Sequence, residues 1–311
     1  MKRRRAIGAE PADGGVHFRV WAPERKRVAV VIDGRDHPLE REERGHFSGL
    51  VEGARAGTRY RFRLDSEDEI YPDPASRYQP EGPHGASEVV DPAWKPTHWR
   101  GIDPKALVIS EIHIGTFTPE GTFLSAIEKL PLIADAGINL IEVMPVSDFP
   151  GRFGWGYDGV DWFAPAHIYG TPDDFRRFVD AAHANGIGVI LDVVYNHFGP
   201  DGCYWKQFTP DYFTDRYTNE WGEAINFASG GARELCTENA AYWIDEFHLD
   251  GLRLDATQDI HDSADPHIIR DIVRAARAAA GDRTIFVVAE NEPQNVALLQ
   301  EYGLDAMWND D

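Results

Sequence analysis

The feature that most constrains the fold of this 311-residue chain is an alternation of apolar runs and amphipathic segments that begins after Trp99. Each apolar run is short, nearly uninterrupted and followed by a loop and a helix-like pattern. Strands of this kind belong to a parallel sheet whose two faces are covered by helices. The predicted strands are residues 106–112, 139–144, 188–194, 251–255, 284–289 and 304–308, and the clearest predicted helices are 124–135 and 173–185.

Six strands indicate a barrel that is incomplete. A (β/α)8 barrel has eight strands and typically occupies about 250 residues, whereas only about 210 follow Trp99. An open, doubly wound sheet would accept six strands, but the glycine-rich phosphate loop expected after its first strand is missing at residues 112–117. We therefore predict an α/β fold in which residues 99–311 form a partial (β/α)8 TIM barrel that ends after strand six.

The first part of the chain has a different rhythm. Short alternating runs, separated by turn residues at intervals of about ten to fifteen residues, are typical of a small antiparallel sandwich. The proline-rich segment 71–83 should not form a regular ladder, so it is interpreted as a linker packed over the surface. Residues 1–98 are therefore predicted to form an immunoglobulin-like β-sandwich, with its clearest strands at 16–21, 28–32, 46–50 and 60–64.

Charge and hydropathy limit which binding partners and which cellular location are expected for this protein. The chain has 31 Lys and Arg residues against 52 Asp and Glu residues, and its formal charge of −21 repels nucleic-acid phosphates and anionic membrane surfaces. The basic residues 2–5 have no apolar stretch behind them, and no window is apolar enough to span a membrane. Cys203 and Cys236 are isolated and predicted to be free thiols. We expect a soluble, cytoplasmic protein that binds neither nucleic acid nor membranes.

Charged residues interrupt the apolar strands at their C-terminal ends, where a barrel places its active site. Arg253 and Asp255 are two residues apart on the predicted fourth strand, so their side chains point the same way. A nearby guanidinium favours the ionised carboxylate that a nucleophile needs. Taken alone, this pair is at least as compatible with a structural ion pair at a strand end.

Glu290 follows the apolar run 286–289 at the end of the predicted fifth strand. Such a lead-in should desolvate the carboxyl group and raise its pKa, so that it holds a proton near neutral pH as a general acid must. For a single glutamate, a capping or solvated role is an equal alternative. Adjacent barrel strands can nevertheless bring Asp255 and Glu290 to the roughly 5 to 5.5 Å separation of the carboxyls in retaining glycosidases.

Further polar and aromatic residues near the strand ends suit a sugar, which needs hydrogen-bond partners for its hydroxyls and a flat ring to stack against. For His197 a buried histidine bonded to the backbone remains an alternative, as does plain packing for the aromatic loop 153–160. The candidate substrate-binding residues are Arg253, His197, Tyr157, Asp158, Asp192 and Trp155.

Three segments occur in order on three successive strand ends: Asp192-Val-Val-Tyr-Asn-His197, Gly251-Leu-Arg-Leu-Asp255 and Val288-Ala-Glu-Asn291. With these segments the chain resembles the α-amylase superfamily, glycoside hydrolase family 13, from about residue 8 onward. The resemblance implies that Asp255 is the nucleophile and Glu290 the acid/base, and that Arg253, His197 and Tyr157 line the sugar subsite where cleavage occurs. We expect no cofactor and no metal, because the mechanism requires none and the sequence has no calcium-type loop.

Within the superfamily, residues 1–98 look like the starch-binding sandwich that precedes the barrel in branching enzymes, isoamylases and trehalose-releasing hydrolases. Segments 71–80, 142–151, 154–159 and 307–311 resemble the trehalose-releasing group. That likeness implies cleavage of the α-1,4 bond next to the terminal trehalose of a malto-oligosaccharide or glucan substrate, and functional pairing with malto-oligosyltrehalose synthase. A 1,4-α-glucan branching enzyme and a non-catalytic glucan-binding protein are the alternatives.

The superfamily's fourth motif is a His-Asp pair whose Asp stabilises the transition state. It belongs on strand seven, and no residue up to Asp311 can be given that role. The resemblance therefore implies that this stretch by itself is inactive. Free edges on the first and sixth strands also predict poor solubility, or association with the missing half of the barrel.

Overall fold

The N-terminal region is a sandwich of two antiparallel sheets in the computed structural model, which describes residues 3–66 and 68–308. Its strands are β1 (Gly8–Ala12), β2 (Gly15–Trp21), β3 (Val28–Ile32), β4 (Arg35–Pro38), β5 (Glu40–Arg41), β6 (His46–Glu52), β7 (Arg59–Leu64), β8 (Ile70–Tyr71) and β9 (Ser87–Glu88). One sheet has the order β1-β2-β6-β5, and the other has β4-β3-β7-β8 with β9 also paired to β7. The predicted sandwich is confirmed, and the predicted boundary between residues 98 and 99 stays a prediction.

The sandwich forms because its strands alternate between inward apolar and outward polar side chains. In β2, Val16 and Phe18 are fully buried, whereas His17 and Arg19 are partly exposed. Phe18 meets Tyr60 of the other sheet edge to face, with ring centroids 4.8 Å apart. The inner faces of the two sheets therefore share one apolar core.

The segment 71–83 forms no ladder beyond β8, but its interpretation as a linker over the surface is wrong. Asp73 and Gln79 are completely buried. Arg77 lies over the ring of Tyr242 in the second region, 4.4 Å from the centroid, and donates to the backbone of the sandwich at 3.0 Å. The prolines exclude a ladder, yet several polar groups of the segment find hydrogen-bond partners inside the protein, so the segment fills the contact between the two regions.

The second region contains a parallel sheet that follows chain order. Its strands are β10 (Ile109–Ile112), β11 (Leu140–Val143), β12 (Ser147–Asp148), β13 (Asp161–Pro165), β14 (Gly188–Val193), β15 (Phe213–Thr214), β16 (Ala224–Ile225), β17 (Gly251–Leu254), β18 (Phe286–Glu290) and β19 (Ala306–Trp308). Within the described residues the parallel sheet has the order β10-β11-β14-β17-β18-β19, and the other four strands form two antiparallel pairs. The predicted α/β fold with six strands of a (β/α)8 barrel is confirmed. Asn309, Asp310 and Asp311, which end the predicted segment 307–311, lie outside the described residues.

Helices lie between the strands of this region and cover the sheet. They are α1 (Ile114–Phe117), α2 (Phe123–Ile127), α3 (Leu130–Asp135), α4 (Pro172–Ala184), α5 (Trp205–Phe208), α6 (Gly230–Glu246), α7 (Ile268–Ala280) and α8 (Ala297–Gln300), with 3-10 helices at His167–Tyr169, Pro210–Tyr212 and Thr257–Asp259; a further 3-10 helix, Glu43–Gly45, lies in the sandwich. The helix predicted over 124–135 is divided into α2 and α3, because Pro131 lacks a backbone N–H and fits only the first turn of a helix. The helix predicted over 173–185 is α4, whose start is fixed by a capping box between Thr171 and Asp174. Across residues 3–66 and 68–308, no helix is long and apolar enough to cross a membrane.

Inward side chains of the parallel strands form layers, as in a closed barrel. Leu140, Ile190, Phe286 and Val288 form an apolar cluster inside the sheet. Further toward the carboxyl ends of the strands, the inward positions are charged. The apolar layer therefore supports a polar one, in which the candidate site lies.

Candidate active site

Arg253 lies at the centre of a charged cluster at the carboxyl end of the parallel sheet. The register pairs Asp192 of β14 with Arg253 of β17, so their side chains share one face. Nη1 of Arg253 donates to both carboxylate oxygens of Asp192, at 2.9 and 3.0 Å. The same Nη1 donates to Asp255 Oδ1 at 2.5 Å, and Nη2 lies 3.2 Å from Glu290 Oε2. One guanidinium therefore binds three carboxylates.

Asp255 and Glu290 reach this guanidinium from neighbouring strands. β17 and β18 pair in register up to Leu254 and Ala289, and Asp255 and Glu290 are the next residues along. The two side chains are 14% and 16% exposed. Both carboxyl groups are therefore largely shielded from water but still reachable by a ligand.

Two further contacts hold these carboxylates. Asn196 Nδ2 donates to Asp255 Oδ2 at 3.1 Å. The backbone N–H of Ala256 donates to Glu290 Oε2 at 2.7 Å, and Ala256 has the left-handed φ of 41° that residues with a Cβ rarely adopt. The Thr257 hydroxyl donates to the Glu290 carbonyl oxygen at 2.6 Å. Backbone strain of this kind is typical of sites where surrounding contacts fix the geometry.

Tyr157, Asp192 and His197 form a chain of contacts beside the guanidinium. The Tyr157 hydroxyl donates to Asp192 Oδ2 at 2.9 Å, and His197 Nε2 donates to the Tyr157 carbonyl oxygen at 3.0 Å. Burial raises the pKa of Tyr157, so the phenol keeps its proton as a donor. Burial also raises the pKa of Asp192, although the nearby Arg253 opposes this rise. Burial lowers the pKa of His197, and this favours the neutral imidazole ring.

Trp155 and Asp158 lie outside the hydrogen-bonded network of described residues around Arg253. Trp155 is 74% exposed and Asp158 is also exposed. Trp155 borders a cavity of about 480 Å³ together with Phe153 and His113. The structure thus brings together six of the eight predicted site residues and leaves these two at the surface.

The aromatic loop is held against the strand ends by two glycines. Gly156 has a φ of 99°, and a Cβ there would collide with the carbonyl oxygen of Pro145. A Cβ on Gly199 would collide with the carbonyl oxygen of Asp158. Because both positions exclude a side chain, the loop lies close to the sheet and carries Tyr157 to Asp192.

Two protein-family models match parts of this chain. A model described as carbohydrate-binding module 48 (isoamylase N-terminal domain) matches residues 6–92, and a model described as alpha amylase, catalytic domain, matches residues 69–221. A malto-oligosyltrehalose trehalohydrolase of Saccharolobus solfataricus is 42% identical, over 98% of this chain and 55% of its own length. The chain belongs to the α-amylase family.

Two further proteins are similar to this chain. A Salmonella typhimurium protein, provisionally named an alpha amylase, has a solved structure with 43% identity and a TM-score of 0.91, covering 94% of this chain and 51% of its own. A 1,4-alpha-glucan branching enzyme of Prochlorococcus marinus is 30% identical, over 78% of this chain and 39% of its own length. The chain spans about half the length of the relatives it matches. The predicted membership of glycoside hydrolase family 13 is confirmed.

Three groups at this α-amylase-family site were not among the predicted residues. Asn196 lies next to His197 in a polar strand end, so the sequence carried a signal for it. Glu142 interrupts the apolar run 139–144, which was also a visible signal. The third group is the N–H of Ala256, and a backbone donor leaves no mark in residue type.

The described residues, 3–66 and 68–308, contain no group of three or more His, Cys, Asp or Glu side chains arranged to hold a metal ion. Many carboxylates lie near Arg253, but they converge on the guanidinium. The expectation that the site needs neither metal nor cofactor stays a prediction.

Proposed function

We propose that this chain carries the two catalytic carboxyls of a retaining α-glucan glycosidase, with Asp255 as nucleophile and Glu290 as acid/base. The observation that carries the proposal is that Arg253 binds both carboxylates at the carboxyl ends of neighbouring strands. Retention requires the two carboxyls to act on one glycosidic bond from a separation of about 5 to 5.5 Å. Because the Arg253 guanidinium binds both groups, it keeps the Asp255 and Glu290 carboxyls close to each other.

The reaction would take two steps. In the first, an oxygen of Asp255 bonds to the anomeric carbon as the glycosidic C–O bond breaks, and Glu290 gives its proton to the leaving oxygen. In the second, Glu290 takes a proton from water, whose oxygen attacks the anomeric carbon and frees Asp255. Arg253 and Asn196 stabilise the negative charge on Asp255 before attack, and the Ala256 N–H fixes the orientation of Glu290.

The surrounding residues would hold the sugar at the cleavage point. The Tyr157 ring offers a flat face, and the polar groups of Asp192 and His197 offer partners for hydroxyls. Trp155 and Asp158, which lie at the surface, would contact sugars further from the bond that is cut. We therefore keep the predicted substrate-binding set of Arg253, His197, Tyr157, Asp158, Asp192 and Trp155 as part of the proposal.

For the substrate, we propose a malto-oligosaccharide or related α-glucan with a terminal trehalose, cut at the adjacent α-1,4 bond to release trehalose. Support comes from the names of relatives that are about 40% identical over nearly the whole chain. A malto-oligosyltrehalose synthase would supply this substrate, and both steps would belong to cytoplasmic trehalose formation. A branching enzyme is the second candidate, supported by the more distant Prochlorococcus relative.

Product analysis tests the proposal on the intact gene product, meaning the polypeptide as the cell makes it. Incubation with malto-oligosyltrehalose should give trehalose and a shortened malto-oligosaccharide. New α-1,6 branches on amylose would instead support the branching enzyme, and glucan binding without turnover would contradict catalysis. Asp255→Ala should abolish trehalose release, whereas Asp282→Ala, the same change at an exposed helix-end position, should leave it unchanged.

A further inference from the structure

Glu142 is a buried carboxyl group to which the proposed mechanism gives no role. It lies on β11 and faces the inside of the barrel, two residues beyond Leu140 of the apolar cluster. Only 3% of the residue is exposed, and its Oε1 accepts no hydrogen bond from any described residue. A buried polar atom without such a partner costs stability, so its presence needs an explanation.

The nearest charged atom to this oxygen also lacks a hydrogen bond. Arg253 Nε is buried, donates to no described residue and lies 3.8 Å from Glu142 Oε1. The terminal nitrogens of the same guanidinium bind Asp255 and Glu290. Glu142 therefore lies near Nε of the guanidinium whose terminal nitrogens bind the two carboxylates, at a distance where charge still acts.

The charged groups that face Glu142 come from every neighbouring strand of this layer. Arg253 on β17, Glu111 on β10 and Glu290 on β18 act on its charge, and Glu142 acts on Asp192 of β14. Among these described residues, carboxyl groups outnumber the one guanidinium. Burial raises the pKa of Glu142 to about 7, with Arg253 opposing the rise. Glu142 thus gains or loses its charge in the neutral pH range.

We infer that Glu142 is a positioning residue of the proposed active site, which acts through Arg253 and sets the upper limit of the pH range in which Glu290 keeps its proton. The inference rests on the proposed function of Glu290. An ionised Glu142 attracts the guanidinium at its Nε and repels a negative charge on Glu290. The coupling is reciprocal, since Glu290 acts on Glu142 by the same interaction.

The experiment is the pH dependence of kcat/KM for the intact gene product and its Glu142→Gln variant, with malto-oligosyltrehalose as substrate. The basic limb reports the loss of the proton from the general acid of the free enzyme. Removing the charge of Glu142 should move this limb to lower pH, by on the order of 0.5 to 1 pH unit. Glu128→Gln, the same change at an exposed position, should leave the limb in place.

Glu142→Asp decides the matter if Glu142→Gln does not fold. Its shorter side chain withdraws the carboxylate from Arg253, so a smaller shift in the same direction is expected. A basic limb that coincides with that of the wild type, in whichever of the two variants is folded, would overturn the inference even if the melting temperature changes. Failure of the proposed function is distinguishable, because the wild type would then release no trehalose and give no profile.

Discussion

Buried charged residues lie at both ends of β17, but the ratio of hydrogen-bond donors to carboxylates differs between the two ends. At the amino end, Asp250 is completely buried, and its carboxylate accepts hydrogen bonds from three donors. It accepts hydrogen bonds from His183 Nε2 at 2.7 Å, Trp99 Nε1 at 2.7 Å and the Val189 N–H at 2.9 Å. This carboxylate is matched by donors on several elements and has no path to a ligand.

At the carboxyl end the balance is reversed. Asp192, Asp255 and Glu290 share the single guanidinium of Arg253, and the side chains of Asp255 and Glu290 remain partly exposed. Crowded like charges oppose folding, whereas a matched buried carboxylate favours it. The two ends of the strand therefore differ in two ways. At the candidate active site, carboxylates outnumber their donors and remain partly exposed, whereas the structural carboxylate at the other end is fully matched by donors and buried.

The largest expected effect is the loss of activity in Asp255→Asn. In the intact gene product, kcat should fall by on the order of 10³-fold or more, because the amide cannot act as nucleophile. The free energy of unfolding should stay within about 1 kcal/mol of the wild type or rise, because one crowded charge is removed. Kinetics and urea denaturation of the same preparation measure kcat and the free energy of unfolding. A large loss of stability would contradict the proposed difference between the two ends of β17.

The opposite pattern is expected for Asp250→Asn. The substitution removes the acceptor charge beside His183 and should lower the free energy of unfolding by about 3 kcal/mol, as for other broken buried pairs. The kcat of the folded fraction should be unchanged, since Asp250 lies at the far end of the strand from Asp255. Urea denaturation with the exposed Asp282→Asn as control measures the effect. An activity loss at full stability would argue against a structural role.

Glu142 gives a smaller, pH-dependent effect on stability. Burial raises its pKa from 4.5 to about 7. Such a group stabilises the fold fully below its unfolded-state pKa, and the contribution is lost as the pH rises through the folded-state value. The unfolding free energy of the wild type minus that of Glu142→Gln should therefore fall between about pH 4.5 and 7, by at most about 3 kcal/mol, and then level off. Urea titrations across this range test it; a difference that increases with pH would refute it.

The smallest effect is expected where charges are exposed. Arg4 pairs with Asp245 at 2.9 Å and with Glu246 at 3.0 Å, joining the N-terminal segment to α6, but its side chain is 42% exposed. Arg4→Ala should cost less than about 1 kcal/mol, because solvent screens such pairs. Thermal and urea denaturation measure it. A loss of stability as large as that of Asp250→Asn would show that solvent exposure does not explain why the Arg4 ion pairs and the Asp250 hydrogen bonds differ in strength.

Sequence patterns predicted most of the fold because each parallel strand is a nearly uninterrupted apolar run, and such runs are recognisable without neighbours. The division of 124–135 into two helices was missed, although Pro131 marked it. The burial of segment 71–83 was not predictable in the same way. It depends on partners far away in sequence, such as Tyr242 beneath Arg77.

The candidate site was predicted as far as side chains at strand ends reveal it. Arg253, Asp255 and Glu290 were visible because charge follows an apolar run in each strand. The contact of the Ala256 N–H with Glu290 was not predictable, because it depends on the left-handed backbone conformation of Ala256 and is not encoded by a residue type. The position of Trp155 at the surface was also beyond the pattern, since exposure is decided by how the loop lies on the sheet.

The most direct test of the central claim is to trap the sugar on the protein. The intact gene product with Glu290→Gln is incubated with a 5-fluoro-α-glucosyl fluoride, which can form a glycosyl-enzyme intermediate without needing an acid catalyst to expel its leaving group. Peptide mass spectrometry should then find the fluoroglucosyl group on Asp255. A label on any other residue would contradict the assignment of Asp255 as the nucleophile.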